Sequence, residues 1–281
     1  MSKQAHNKVL LSQRKKSRCW DASAGAPAPQ SRPIFNLVAF SHYNWHLVDM
    51  MLEINNFTNL HQNDDHLHLA FSSPQRVLSS AILNGGLVKA DHIVNRKVPK
   101  DSLTCEAPDV SLRNYAEQQG WQGNVVGMMT AAPMSSLCIE QSCVEGIDLT
   151  VLVTTGIDNA RRAGDKADVQ DVLALSKHVG TINLILICSA KLTDAAMLEA
   201  VMVATEGKAA ALQDAGVVSP VSQRLATGTG TDAIAVVSGD GPEEVAFCGK
   251  HVLLGELIGR LVISAVTKSL ASGFNGDTPT L

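Results

Sequence analysis

Residues that could carry out chemistry are most concentrated between positions 224 and 260 of this sequence. A loop that reads Ala226-Thr-Gly-Thr-Gly-Thr-Asp232 precedes a short apolar run, and a second segment, Gly249-Lys-His251, follows it. Consecutive backbone N–H groups in such a loop can bind an anion or the oxyanion of a hydrolytic intermediate. The residues that would supply them are Gly228, Thr229, Gly230 and Thr231. The loop is therefore suited to hydrolysis of an amide or an ester.

The same loop is a weak candidate for nucleotide binding. Phosphate-binding loops follow a strand and open a helix, whereas Gly228 and Gly230 precede the predicted strand. The sequence also lacks Gly-x-x-x-x-Gly-Lys-Ser/Thr and Gly-x-Gly-x-x-Gly. Nucleoside triphosphate chemistry is therefore disfavoured.

The hydrolytic motifs with a fixed nucleophile or metal are absent as well. There is no Gly-x-Ser-x-Gly elbow and no His-Glu-x-x-His, the signatures of two large hydrolase classes. The hydrolytic mechanism that remains is attack by a water molecule that a base activates. The candidate bases are Glu206, Asp232, Glu256 and His251. Residue type alone leaves the choice among these four open.

Composition is that of a globular protein with a sizeable core. The 281 residues are 45% hydrophobic and 18% charged, and the net charge is −4. This charge predicts no binding to nucleic acid or to an anionic membrane. No apolar run reaches the roughly 18–20 residues that span a bilayer, and the first thirty residues lack a secretory core. Six scattered cysteines without a Cys-x-x-Cys spacing indicate a reducing compartment, so we expect a cytoplasmic protein.

The pattern of elements predicts one α/β domain over residues 34–275, with a mixed β-sheet packed against helices. Residues 1–33, basic and then rich in proline and alanine, predict a flexible tail. The apolar run from Thr181 to Cys188 predicts a central strand covered on both faces. Other strands are expected at 34–40, 67–71, 147–154 and 233–237, and helices at 109–119, 193–216 and 250–270.

Two of these helices carry candidate site residues. The helix that Thr193 caps is apolar nearly all round, which predicts burial. We therefore expect Glu206 to be partly buried, with Lys208 about half a turn away. On the last helix, His251, Gly255 and Gly259 recur every four residues and are expected to share one face.

A histidine-rich segment raises the question of a metal. His66 and His68 would share one face of a strand. Asn63-Asp64-Asp65 before them is a turn signal, however, and the spacing fits no common ligand set. The histidines that the segment contains are His42, His46, His61, His66 and His68. We predict no metal bound by the protein here.

Read together, several blocks resemble the adenosylcobinamide amidohydrolases. They occur in order between about residues 66 and 270, and the last four together are specific. The blocks are Arg76-Val-Leu-Ser-Ser-Ala81, Gly127-Met-Met-Thr-Ala-Ala132, Thr155-Gly-Ile-Asp-Asn-Ala-Arg-Arg-Ala-Gly-Asp165, Gly180-Thr-Ile-Asn183, Thr205-Glu-Gly-Lys208, Ala226-Thr-Gly-Thr-Gly-Thr-Asp232 and Gly249-Lys-His251 with Gly255-Glu256. Asp158 and Gly207 depart from the family pattern and leave the substrate preference open.

The resemblance implies hydrolysis of the amide that joins aminopropanol to a propionate side chain of adenosylcobinamide. The product would be adenosylcobyrate, which re-enters cobalamin synthesis. The cobalt belongs to the corrinoid substrate, so no cofactor of the protein is expected. A small-molecule corrinoid is the expected partner, without nucleic acid or membrane, and a homodimer is left open.

On these positions we base a hypothesis for the site. His251 or Glu206 would activate water, and Asp232 would orient it or protonate the leaving amine. The loop backbone would bind the oxyanion. Groups expected to contact the corrinoid are Ser79, Asn159, Arg161, Gly228, Thr229, Gly230, Thr231, Lys250 and Glu256. Two alternatives stay open: a corrinoid carrier without turnover, and an amidohydrolase for another cobamide or macrocycle.

Overall fold

The computed structural model describes residues 50–99, 106–168 and 180–274, and β-strands dominate this part of the chain. Its strands are β1 (Met50–Asn55), β2 (Thr58–Gln62), β3 (His66–Ser79), β4 (Gly86–Lys97), β5 (Val125–Thr130), β6 (Cys138–Val144), β7 (Ile147–Thr155), β8 (Ala160–Arg161), β9 (Ile182–Cys188), β10 (Lys191–Leu192), β11 (Gly228–Thr229), β12 (Ala233–Ser238) and β13 (Glu244–Val245). Its helices are α1 (Pro108–Gln118), α2 (Asp194–Asp214) and α3 (Leu253–Phe274), and a 3₁₀ turn spans Met134–Ser136.

Nine of these strands form one mixed sheet. Its main path runs β1-β2-β3-β12-β9-β7-β6, and β4 pairs with both β3 and β5. Strand β3 is long enough to pair with β2 along its first half and with β12 along its second half. The β12–β9 and β4–β5 pairs are parallel, and the others in this sheet are antiparallel. The predicted α/β fold with a mixed sheet in a single domain is confirmed.

Strand β9 is the centre of the core because both of its faces are covered. Leu184 and Leu186 pack with the apolar residues of α2 and α3. Ile185 and Ile187 point the other way and pack with residues of β3 and β5. Successive side chains of a strand alternate between faces, so a strand buried on both sides must be apolar throughout. The predicted central strand is confirmed.

Helix α2 begins where the sequence predicts. Thr193 precedes it, and its hydroxyl accepts a hydrogen bond from the Ala196 N–H at 3.1 Å. This bond satisfies one of the amides that the first helical turn leaves without a partner. Burial along α2 differs from the prediction, because Leu198 and Met202 are 56% and 61% exposed. The helix packs on the core with one side only.

Helix α3 begins later than predicted. It starts at Leu253, so Lys250 and His251 lie in the turn before it. The prediction that His251 shares a helical face with Gly255 and Gly259 is therefore wrong. Gly255 instead lies against the preceding turn, where a Cβ would come within 2.1 Å of the Gly249 carbonyl oxygen. Glycine at 255 thus allows the turn to fold back on the helix.

Some predictions fall outside the described residues. These are the flexible tail over residues 1–33, the strand at 34–40, and the positions of His42 and His46.

Among the helices that the structure describes, none is long and apolar enough to cross a membrane. In the same part of the chain Cys138, Cys143, Cys188 and Cys248 are free, and burial raises the pKa of Cys248 to about 12.

A cluster of rings surrounds His68 on the sheet. Its imidazole stacks on Trp121 with ring centroids 4.0 Å apart, and its Nε2 lies 3.1 Å from His92 Nδ1. His92 Nε2 donates to the Gln122 carbonyl at 3.0 Å, so neutral His92 must accept the hydrogen bond from His68. Burial first, and then the neighbouring His92, His66 and His61, lower the pKa of His68 from 6.5 to about 3.

We expect this histidine to reduce stability at acid pH. His68 stays neutral in the folded chain but takes up a proton in the unfolded chain below pH 6.5, so its contribution is present above pH 6.5 and lost as the pH falls towards 3. Between pH 7 and pH 5 the wild type should lose about 2 kcal/mol more unfolding free energy than His68→Gln. Urea denaturation of both proteins at the two pH values measures this difference. Equal losses would show that His68 protonates as easily folded as unfolded.

Candidate functional site

The loop at residues 228–232 lies beside the start of β9 because β9 and β12 are parallel neighbours. Their pairing begins with Ala233 opposite Asn183, so the residues before both strands meet at one edge of the sheet. Two threonine hydroxyls join the two segments. Thr231 donates to the Gly180 carbonyl at 3.0 Å, and Thr181 donates to the Thr231 carbonyl at 2.6 Å. The loop is therefore held tightly against β9.

Asp232 closes this loop with a carboxylate that accepts four hydrogen bonds. Oδ1 accepts from the Ile182 N–H at 2.9 Å and from the Thr229 hydroxyl. Oδ2 accepts from the Thr229 N–H at 3.0 Å and from the Lys208 ammonium. A carboxylate can accept about four such bonds. Asp232 is thus saturated by the protein itself, which favours a positioning role over proton transfer.

Lys208 is a buried lysine in the middle of α2, and sequence reasoning did not include it in the site. Its side chain is 7% exposed and that of Asp232 is 11% exposed, so the ion pair lies in the interior. Buried charges need a partner of opposite sign. The signal was present in the sequence, because a lysine within an apolar helix must find such a partner. The sequence did not show which residue that partner is.

Gly228 covers this ion pair. A Cβ at position 228 would lie 2.4 Å from Asp232 Oδ2 and 2.9 Å from Lys208 Nζ. No side chain fits there, so the backbone of β11 passes directly over the two charged groups. The Thr229 N–H, predicted to bind an oxyanion, is already used by Asp232.

Asn159 reaches the same place through the pairing of β8 with β11. This pairing sets Ala160 opposite Thr229 and Arg161 opposite Gly228. The Asn159 residue is 8% exposed, and its Oδ1 is buried without a hydrogen-bond partner among the residues that the structure describes. The amide lies between two glycines: a Cβ at Gly180 would be 2.4 Å from Oδ1, and one at Gly230 would be 3.2 Å from Nδ2.

A layer of paired amides lies at the same end of the sheet. Asn183 Nδ2 donates to Asn95 Oδ1 at 2.7 Å and to the Met129 carbonyl at 2.8 Å. Asn95 Nδ2 in turn donates to the Thr154 hydroxyl at 2.9 Å. These buried groups satisfy one another across β4, β5, β7 and β9, so they hold the edge of the sheet rigid. Asn159 differs from them in having an unpaired oxygen.

Ser79 and Arg161, both predicted to bind substrate, already have protein partners. The Ser79 hydroxyl donates to the Ile234 carbonyl at 2.9 Å and accepts from the Ala81 N–H at 3.0 Å. Arg161 holds both oxygens of Asp168 at 2.6 Å. Each side chain thus stabilises the segment that carries it.

The other predicted bases, Glu206, His251 and Glu256, lie on a surface away from the buried Asp232. Glu206 forms an ion pair with Lys250, and these side chains are 54% and 64% exposed, so the predicted partial burial of Glu206 is wrong. His251 next to Lys250 is exposed, and Glu256 accepts from Arg260 at 3.2 Å one helical turn away. We call the residues Glu206, Lys250, His251 and Glu256 the outer group.

The geometry of α2 separates the outer group from Asp232. Positions 206 and 208 are two residues apart, which is a rotation of about 200° around a helix. Lys208 points to the interior and Glu206 to solvent. The structure brings Asn159, Asp232 and the loop glycines together but does not bring Glu206 or His251 to them. Their catalytic roles remain predictions.

No metal site accompanies either group in the described part of the chain. Nowhere within residues 50–99, 106–168 and 180–274 do three or more histidine, cysteine, aspartate or glutamate side chains come together in a way that could hold an ion. The donor atoms at the buried site are amides, hydroxyls and one saturated carboxylate, a set suited to hydrogen bonding.

A mixed-sheet α/β protein with a buried polar site at one sheet edge is the class that these observations define. The family model described as adenosylcobinamide amidohydrolase matches residues 51–275. The chain belongs to this family.

Two relatives in curated collections are similar over most of their length. An uncharacterised protein of Methanocaldococcus jannaschii is 30% identical over 226 residues, which cover 73% of this chain and 85% of that protein. An adenosylcobinamide amidohydrolase of Methanosarcina mazei is 29% identical over 197 residues, which cover 67% and 86%.

Solved structures show only distant likeness. A Pyrococcus horikoshii protein aligns with a TM-score of 0.40 at 11% identity, covering 85% of this chain and 83% of that one. An L-aminopeptidase D-Ala-esterase/amidase from Ochrobactrum anthropi aligns with a TM-score of 0.37 at 10% identity, covering 78% and 81%.

We expect the buried ion pair to be strongly coupled. Lys208→Met leaves a buried carboxylate without its cation and should cost on the order of 3–5 kcal/mol of unfolding free energy. Adding Asp232→Asn to that variant should restore part of the loss, because the amide carries no charge. Urea denaturation of the single and double variants measures the coupling.

Lys250→Met is the matched control, since it breaks the exposed pair with Glu206. Its cost should be no more than about 1 kcal/mol. Equal costs for Lys208→Met and Lys250→Met would show that burial does not strengthen the inner pair.

Proposed function

We propose that the protein hydrolyses the amide between aminopropanol and a propionate side chain of adenosylcobinamide, releasing adenosylcobyrate. Family membership over residues 51–275 supports an amidohydrolase. The observation at the site that carries the proposal is the Asn159 amide, which is buried between Gly180 and Gly230 with an unpaired oxygen. A substrate amide has the N–H donor that this oxygen lacks.

The reaction adds water to the amide carbonyl carbon and then breaks the C–N bond. The tetrahedral intermediate carries an oxyanion, the leaving amine takes up a proton, and the acid is released as a carboxylate. In the proposal Asn159 Nδ2 and the backbone around Gly230 donate to the oxyanion. Asp232 keeps that backbone in place, because its four hydrogen bonds join the loop to β9 and α2.

The base that activates water is one of two residues in this proposal, His251 or Glu206. Both are exposed at the start of α3 and the outer side of α2. Either would have to come within hydrogen-bond reach of the water that attacks the carbonyl held at Asn159 and Gly230. Lys250 and Glu256, in the same outer group, would contact the polar side chains of the substrate.

The cellular setting is part of the same proposal. Cobalt enters as part of the corrinoid, so the protein needs no cofactor of its own. The activity would serve corrinoid salvage for cobalamin synthesis in the cytoplasm. The partner is the small corrinoid molecule, with neither nucleic acid nor membrane, and a homodimer fits the proposal as well as a monomer.

Incubation of the purified protein with adenosylcobinamide tests the reaction. Chromatography of the corrinoid should show adenosylcobyrate, and aminopropanol should appear in equal amount. Binding without product would instead make the protein a corrinoid carrier. If the protein neither binds adenosylcobinamide nor forms product from it, another cobamide or macrocycle is the substrate.

We expect removal of the general base to lower kcat. Loss of a general base lowers a rate by about 10²–10⁴-fold, so either Glu206→Gln or His251→Ala should reduce the hydrolysis rate by this factor. Glu117→Gln is the control, since it removes an exposed carboxylate on α1. Parental rates in both test variants would exclude Glu206 and His251 as the base.

A further inference from the structure

One buried amide stands apart from the others at this end of the sheet. Asn95 and Asn183 bond to each other, and further to Thr154 and Met129, at 2.7–2.9 Å. Asn159 is similarly buried, yet within residues 50–99, 106–168 and 180–274 its Oδ1 has no partner. An unpaired buried acceptor has lost its bond to water without gaining another, which destabilises the folded chain. Such a cost is most readily explained where a ligand supplies the missing bond.

The surroundings of Asn159 keep this amide unpaired. Its two flanking positions are Gly180 and Gly230, where a Cβ would come within 2.4 Å of Oδ1 and 3.2 Å of Nδ2. The hydroxyls of Thr231 and Thr181 nearby donate to the Gly180 and Thr231 carbonyls instead. Glycine also lets the flanking backbone shift without displacing a side chain as a ligand reaches the amide.

The chemistry of the missing partner follows from the unpaired Oδ1 of Asn159. Oδ1 is an acceptor, so the complementary ligand supplies an N–H donor to it. An amide has such an N–H. A carboxylate has acceptors only, and its negative charge would face the unpaired Oδ1.

The buried cation of this site does not help a carboxylate. The Lys208 ammonium lies under Gly228 but is already paired with Asp232, so the pair is neutral as a unit. The interior therefore offers a bound carboxylate no free positive charge at this point among the described residues.

We propose that Asn159 distinguishes the amide substrate from its carboxylate product and thereby favours product release. This inference rests on the proposed amide hydrolysis and adds a specificity-determining residue to it. Hydrolysis removes the N–H that Oδ1 accepts and creates an anion in its place. The site thus binds the reactant more tightly than the acid that it forms.

Equilibrium binding of three corrinoids tests the proposal. They are adenosylcobinamide, adenosylcobyrate, and the primary amide in which NH₂ replaces aminopropanol, with chromatography after binding to confirm that each is intact. The wild type should bind both amides roughly tenfold to hundredfold more tightly than the acid. In Asn159→Leu this ratio should fall at least fivefold, whereas in Asn159→Asp, which keeps an acceptor oxygen and adds a negative charge that repels the acid, it should stay the same or rise. Asn56→Asp, an exposed turn residue, should keep the wild-type ratio.

Unfolding of the free proteins separates a binding role from a structural one. Asn159→Leu removes an unpaired group, so the urea midpoint should stay the same or rise. Asn183→Leu removes a paired group and should lower it. A lower urea midpoint for Asn159→Leu would overturn the proposal. So would an unchanged amide-to-acid binding ratio in Asn159→Leu, provided that the wild type hydrolyses adenosylcobinamide. Failure of the wild type to bind any of the three corrinoids would overturn the proposed function itself.

Discussion

The buried ion pair of Lys208 and Asp232 joins the three parts of the site. A buried pair is tolerated only when further hydrogen bonds satisfy its charges, and here the Ile182 and Thr229 N–H groups and the Thr229 hydroxyl do so. Helix α2, the start of β9 and the loop at 228–232 consequently meet at one carboxylate. Such a pair adds less to net stability than to the uniqueness of the arrangement, since any other loop position would leave a charge unpaired.

The core around this pair determines where Lys208 can point. Leu184 and Leu186 of β9 pack under α2 and α3, while Ile185 and Ile187 fill the opposite side of the sheet. Gly207 lets the two helices approach closely, because a Cβ there would lie 3.2 Å from Val262 Cγ1. This packing fixes the rotation of α2. Lys208 is therefore directed to the interior, and Glu206 to solvent.

Local patterns were enough to predict several elements but not the site. The cap at Thr193, the strand Ile182–Cys188 and the strand Ala233–Ser238 each follow from a few neighbouring residues. The burial of Glu206 was predicted wrongly, because an apolar helix in isolation does not show which side meets the core. The role of Lys208 was missed for the same reason, since its partner lies 24 residues further along the chain.

By itself the sequence determined the central strand, the three helices and the family to which the chain belongs, because periodicity, caps and motif blocks are local properties. Only the tertiary structure decided which residues share the site. The pairing of β8 with β11 sets Arg161 opposite Gly228 and so carries Asn159 to Gly230. Contacts over such separations depend on how whole strands and helices pack. No spacing within the chain encodes them.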